Sequence, residues 1–236
     1  MTPFFYFWAM AYRTLQQCIS DLEKKGELFR ITEQVNPDLE MASIHLDEFE
    51  KGGKAILFEN IKGSNYKSVS NLFGTLDRSR FMFRDSLEIV KQLIELKTNP
   101  IHALKTPVKS LFTSLNGIYS IPQKVRFKGF KEIKIKDLPQ IKCWKKDGGA
   151  FITLPQVYSE DPENPGILNS NLGMYRIQLS GNEYIQNEEI GLHYQIHRGI
   201  GIHQKKANAK GEPLKISVFV GGPPAHTFAA VMPLPE

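Results

Sequence analysis

Two stretches carry residues whose types and spacing can do chemistry: "NLGMYRIQLSG" (171–181) and "HYQIHRGIGIH" (193–203). His193, His197 and His203 are imidazole donors at the spacing of a loose metal site, although no HExxH pattern is present and a zincin is excluded. If "GLHYQIH" is a strand, His193 and His197 share a face, because residues four apart in a period-2 element point the same way. The alternative is ordinary histidines on a polar face. Arg198 and Gly199 add a fixed cation beside a residue that permits close backbone approach, a pairing suited to an anion or phosphate. Asn171, after the loop "SEDPENPGILNS", offers an amide oxygen, and oxygen with imidazole suits Mn or Mg with phosphate better than structural zinc. A regular strand puts Asn171, Gly173 and Tyr175 on one face and Leu172, Met174 and Arg176 on the other. Gly173 allows a flat ring or phosphate against the backbone. Arg176 must meet a carboxylate or phosphate or stay solvated, so a ligand site and a structural salt bridge both remain open.

The elements that must position these residues fall into two textures. In "TLQQCISDLEKKG", Leu15, Cys18, Ile19 and Leu22 fall on one helical face, Thr14 can cap and Gly26 stops the helix. "ELFRI" reads as a short strand. "NPDLEMASIHLDEFEKGG" predicts a second helix capped by Asn36, with Pro37 in its first turn and Gly52 and Gly53 at its end. "AILFENI" (55–61) and "YKSVSNLFG" (66–74) read as buried strands, followed by helical patterns at 76–84, 86–97 and 101–112. From about residue 120, Pro and Gly become frequent and strand-like runs dominate: "KVRFKGF", "AFITLPQVYS", "MYRIQLSG", "EIGLHYQIH" and "LKISVFVGG". The expected fold is α/β plus β, with an α/β domain over 1–118 and a barrel or split-barrel unit over 119–236.

Composition bounds the function. The 236 residues are 41% hydrophobic and 23% charged, as in an ordinary globular protein. A net charge of +5 from 30 basic and 25 acidic residues is modest for nucleic-acid binding, and the basic run 124–146 reads better as a solvated edge strand. No nucleic-acid partner is expected. Cys18 and Cys143 lack disulfide or zinc spacing, which favours a cytoplasmic setting; peripheral membrane association stays open. The apolar start "MTPFFYFWAM" is too short for a membrane span and lacks a basic flank, so no integral membrane segment is expected. Met10 could equally be the initiator, which would make residues 1–9 a start-site artefact.

Four motifs, "DGGAFITLP", "NLGMYRIQL", "HYQIHRGIGIH" and "VFVGGPPAHTFAAVMPLPE", together resemble the UbiD family of prenylated-flavin-dependent decarboxylases, typified by 3-polyprenyl-4-hydroxybenzoate decarboxylase. The resemblance implies a split-barrel flavin-binding domain after an N-terminal α/β domain, and a prenylated FMN whose phosphate is held through a divalent metal, usually Mn2+, with K+ nearby. Asn171 and His197 match the metal-ligand positions. Asn171, Leu172, Gly173, Met174, Tyr175 and Arg176 match cofactor contacts, as do Ile196, His197, Arg198, Gly199, Met232 and Pro233. Arg176 matches the catalytic arginine of a Glu-Arg-Glu network that holds the substrate carboxylate. Ala229, Ala230, Val231 and Met232 lie on the loop whose carbonyls reach K+ in relatives. His203 matches no motif position and is expected to pack.

The family completes its metal site with a glutamate four residues beyond the acidic residue of a "P-[LI]-P-[DE]" run, and here that run, "PLPE", ends at Glu236. The resemblance therefore implies an inactive N-terminal portion of a decarboxylase of an aromatic or α,β-unsaturated acid. The substrates implied are of quinone-biosynthesis type, a polyprenyl-hydroxybenzoate or a menaquinone-pathway naphthoate. The implied partners are the carboxylic acid substrate, a flavin prenyltransferase as cofactor supplier and, at full length, further copies of the chain. The alternatives are a non-catalytic flavin-binding module and, third, a His-based metal hydrolase.

Overall fold

The computed structural model describes residues 12–98, 129 and 131–232. The expected helix over 101–112, "KVRFKGF" apart from Gly129, the apolar N-terminal stretch with Met10, Pro233 and Glu236 lie outside the described residues. The chain divides into two compact units, 1–11 with 80–131 and 12–79 with 132–236.

Helix α1, Leu15–Lys25, forms as the local signals dictate: Thr14 Oγ1 accepts from the Gln17 amide at 3.2 Å, Gly26 leaves the helix at φ 79°, and Cys18, Ile19 and Leu22 are buried. Strand β1, Leu28–Val35, runs further than "ELFRI" and pairs in parallel with β2, Ala55–Ile61, while β3, Ser68–Ser70, adds to β2 antiparallel. Helix α2, Glu40–Glu50, crosses between the parallel strands. It starts at Glu40 rather than at Asn36 and Pro37, because its predicted first turn is used elsewhere. Asn36 Oδ1 accepts from the Asp38 amide at 3.0 Å, and Leu39, at φ 68°, donates its amide to the Lys142 carbonyl at 3.0 Å. A long-range pairing has overridden the local helix signal.

Val35, Met41, Ile56, Phe58 and Ile61 form the core of this region. Helices α3, Leu76–Met82, and α4, Leu87–Thr98, follow the expected patterns. β3 is far shorter than the strand expected over 66–74, because Asn71 turns into the left-handed region at φ 57°.

The second half builds two three-stranded antiparallel sheets around Ala150, Val157, Ile177, Leu179 and Ile200. One contains β4, Phe151–Ile152; β7, Arg176–Gln178; and β8, Gly191–His193. The other contains β5, Gln156–Glu160; β6, Ser170–Met174; and β9, Ile216–Phe219. The runs "AFITLPQVYS" and "MYRIQLSG" therefore each split across the two sheets, the first around buried Pro155 and the second at Tyr175. Helices α5, Gly199–Lys210, and α6, Pro224–Ala229, depart from the expected run of strands. Gly199 and Gly201 disguise the start of α5, since glycine is a poor helix former. At Gly201 a Cβ would lie 2.1 Å from the Ile196 carbonyl, so this close packing excludes a side chain. Among the described residues, no helix is long and apolar enough to cross a membrane.

Candidate functional site

A cleft of about 1090 Å³ opens where the chain passes from one small sheet to the other. The crossing itself, Asn171 to Arg176, lines it together with the end of β8 and the start of α5. The tail of α6, Ala229 to Met232, closes one side.

Ser159 on β5 lies opposite Asn171 on β6, and directly opposed residues of an antiparallel pair point to the same face. Ser159 is buried and its hydroxyl meets His203 Nδ1 at 2.9 Å, which brings this helix residue to the cleft beside Asn171. Asn171 Nδ2 donates to the Tyr175 hydroxyl at 3.2 Å. Gly173 has a local reason: a Cβ there would lie 2.6 Å from the Tyr175 ring, so the ring occupies the space that the sequence left for a ligand. Asn171, Gly173 and Tyr175 do converge as the strand alternation requires. Arg176, by contrast, leaves the face it would share with Leu172 and Met174, since it belongs to β7 and stands opposite His193.

The two readings of Arg176 meet in one geometry. Its Nη2 donates to Asp147 Oδ1 at 3.0 Å and Oδ2 at 2.9 Å, its Cζ stands 3.8 Å over the Phe151 ring, and its side chain is still 40% exposed in the cleft wall. Asp147 is only 10% exposed and is held by a turn in which its Oδ2 accepts from the Trp144 amide at 3.2 Å. The glycines after it let the turn lie against the end of β7: a Cβ on Gly149 would fall 1.9 Å from the Ser180 carbonyl oxygen. Burial, together with the Asp147 charge, pushes the neighbouring Cys143 thiol upward, against a smaller opposite pull from Arg176.

The histidine trio does not assemble. β8 ends at His193, and residues 195–198 form a turn in which the Arg198 amide donates to the Gln195 carbonyl at 3.0 Å, so His193 and His197 share no strand face. His193 lines the cleft with its Nε2 3.0 Å from Gln178 Oε1. His197 and Ile196 are exposed and do not line it. Among the described residues, no group of three or more His, Cys, Asp or Glu could hold a metal ion. Arg198, Gly199 and Met232 line the cleft, whereas Pro233 lies outside the described residues. Tyr194 and Gln195 also line it, and their only sequence signal is their place inside the histidine motif. His203, expected only to pack, lines it too.

Two family models match the chain: the N-terminal domain of 3-octaprenyl-4-hydroxybenzoate carboxy-lyase over residues 19–97, and the Rift-related domain of the same carboxy-lyase over residues 120–236. The chain belongs to the UbiD family. A 4-hydroxybenzoate decarboxylase component of Chlamydia pneumoniae is 36% identical over 233 residues, which are 94% of this chain and 38% of that protein. The closed form of vanillic acid decarboxylase from Sedimentibacter hydroxybenzoicus superposes with a TM-score of 0.74 at 25% identity, covering 95% of this chain and 46% of that one. The UbiD-class enzyme HmfF of Pelotomaculum thermopropionicum, in complex with FMN, shares the fold at TM-score 0.65 and 21% identity, over 94% of this chain and 49% of that one. The chain thus spans less than half the length of these relatives.

A flavin phosphate fits the chemistry of this UbiD cleft. Arg198 caps α5 without a side-chain capping bond, and a helix start with its uncompensated amides and positive dipole end favours an anion. Tyr175 and Tyr194, ring centroids 6.5 Å apart and at 77°, supply an aromatic wall. A metal fits less well. Asn171 is in place as one oxygen donor, but its partner His197 lies outside the cleft lining.

Proposed function

We propose that this chain supplies the flavin-binding cleft of a UbiD-type non-oxidative decarboxylase acting on an aromatic or α,β-unsaturated carboxylic acid. The observation that carries the reading is Arg176: a guanidinium in the cleft wall, stacked on Phe151 and backed by one carboxylate, with Nε and Nη1 not hydrogen-bonded among the described residues. The second half is read as a split barrel for prenylated FMN, which supplies the electron sink for the pair released as carbon dioxide leaves.

Around that group, each residue has its own task. The start of α5 with Arg198 holds the phosphate, Gly199 lets it approach, and the Tyr175 and Tyr194 rings flank the cleft. Arg176 binds the carboxylate to be lost and offsets the cost of bringing that charge out of water. Asn171 is the residue placed to meet a divalent cation at the phosphate, and the carbonyls of Ala229 to Met232 are the candidates for K+. Substrates of quinone-biosynthesis type, a flavin prenyltransferase as supplier and self-association of the whole protein belong to the same reading.

Production of the chain together with a flavin prenyltransferase, followed by mass and ultraviolet-visible spectra, should show bound flavin. In the whole protein, Arg176→Ala should keep the flavin and lose about 100-fold or more of turnover on 4-hydroxybenzoate or vanillate. Normal turnover in that variant sinks the assignment.

A further inference from the structure

Asp147 has no part in the decarboxylation chemistry itself, yet it makes the main polar contact to the arginine on which that chemistry turns. Both of its oxygens accept from Arg176 Nη2, its side chain is 10% exposed against 40% for the arginine, and Trp144 and the Gly148–Gly149 pair hold its turn against the end of β7. A long guanidinium side chain in a cleft wall otherwise samples many rotamers, and ordering it at the moment of ligand binding is costly. Here the ordering is done in advance by one largely buried acid on Nη2 and one aromatic ring under Cζ.

We propose that Asp147 is a positioning residue that fixes the Arg176 guanidinium over Phe151, so that Nε and Nη1 stay presented to a carboxylate ligand; this rests on the decarboxylase reading. The clamp has two opposed effects. Order favours a productive pose, whereas the Asp147 charge repels the ligand carboxylate through the same guanidinium. Loss of Asp147 therefore changes turnover more than affinity. A purely structural ion pair, by contrast, would lower stability and leave the ratio of kcat to KM effects unsplit.

The test uses the flavin-loaded whole protein with 4-hydroxybenzoate as probe, and side-chain NMR of the Arg176 Nε–H in 15N-labelled chain. Asp147→Asn should lower kcat roughly 10- to 100-fold, hold KM within about threefold, retain flavin, and turn an ordered Nε–H into a mobile one. Asp147→Glu keeps the charge and should recover much of both the order and the turnover, which separates the clamp from simple misfolding of the Asn variant. Unchanged Nε–H order in Asp147→Asn overturns the proposal even in a chain that turns nothing over. So does an unchanged kcat, or a KM that rises while kcat holds. If Arg176→Ala cripples turnover but Asp147→Asn does not, the clamp falls and the decarboxylase reading stands. If Arg176→Ala itself is harmless, the reading falls and the clamp loses its purpose with it.

Discussion

The N-terminal sheet region and the cleft region each hold an arginine against backbone and acid, but in opposite ways. Arg78 is 1% exposed, with Nε on the Leu72 carbonyl at 3.1 Å, Nη1 on the Gly53 carbonyl at 2.8 Å and Glu27 Oε2 at 3.5 Å. Burial pushes its pKa down, with Glu27 pulling the other way. Asn71 joins the same knot by donating to the Lys54 carbonyl at 2.9 Å. This arginine fastens the turn after α2 to the segment after β3, and no exposed donor remains to meet a ligand. Arg176 has a largely buried acid on one nitrogen, a ring beneath it and donors left over at a cleft. Where the donors end, rather than how strong the ion pair is, separates a structural arginine from a functional one.

Exchanging the losses is the strongest way to break this comparison. Arg78→Ala strands buried carbonyls and opens a void, so urea unfolding should show a loss of about 3 to 5 kcal/mol. Arg176→Ala removes a cation that is 40% exposed but leaves Asp147, 10% exposed, without its partner, so the same measurement should register about 1 to 2 kcal/mol, below the Arg78 loss, while turnover collapses. A large stability loss in Arg176→Ala would place it with Arg78. Gly149→Ala comes next, because its Cβ would lie 1.9 Å from the Ser180 carbonyl oxygen and neither backbone can yield cheaply. Overpacking of this kind costs about 1 to 3 kcal/mol, and the displaced turn should also reduce turnover through Asp147. If the variant melts like the parent and keeps its turnover, the turn is not what holds Asp147 in place.

How far the sequence can be read also differs between the two regions. α1 and β2 are legible because cap, stop and apolar pattern are local and agree with the burial that follows. The start of α2 is not, since its first turn is diverted to Lys142, more than a hundred residues away. In the second half, period-2 alternation correctly groups Asn171 with Gly173 and Tyr175. It cannot show that the chain changes sheets at Tyr175, because alternation carries no information about which neighbour a strand pairs with. Arg176 stands out by its chemistry alone. Asp147 sits inside a recognisable motif without standing out, because its ion pair joins positions 29 residues apart through the β4–β7 pairing. His203 has no motif match, and only the β5–β6 register, which sets Ser159 across from Asn171, brings it to the cleft.

The smallest expected effect sharpens the comparison on the N-terminal side. His45 on α2 is partly buried, with its Nδ1 2.7 Å from the Ser70 hydroxyl and its ring stacked 6.0 Å from Phe49. Burial holds its pKa below the usual histidine value, so the folded state takes up the proton less readily than the unfolded chain. The unfolded chain therefore binds more protons in the window between the lowered folded pKa and the ordinary value near 6.5. Stability from this group is complete above that ordinary value and is lost as pH falls through the folded one. Urea midpoints should decline on acidification from neutral pH, and His45→Gln, which cannot take the proton, should flatten that decline. An unchanged slope in His45→Gln would assign the acid sensitivity elsewhere, His226 near the cleft being the next candidate, since burial lowers it in the same direction.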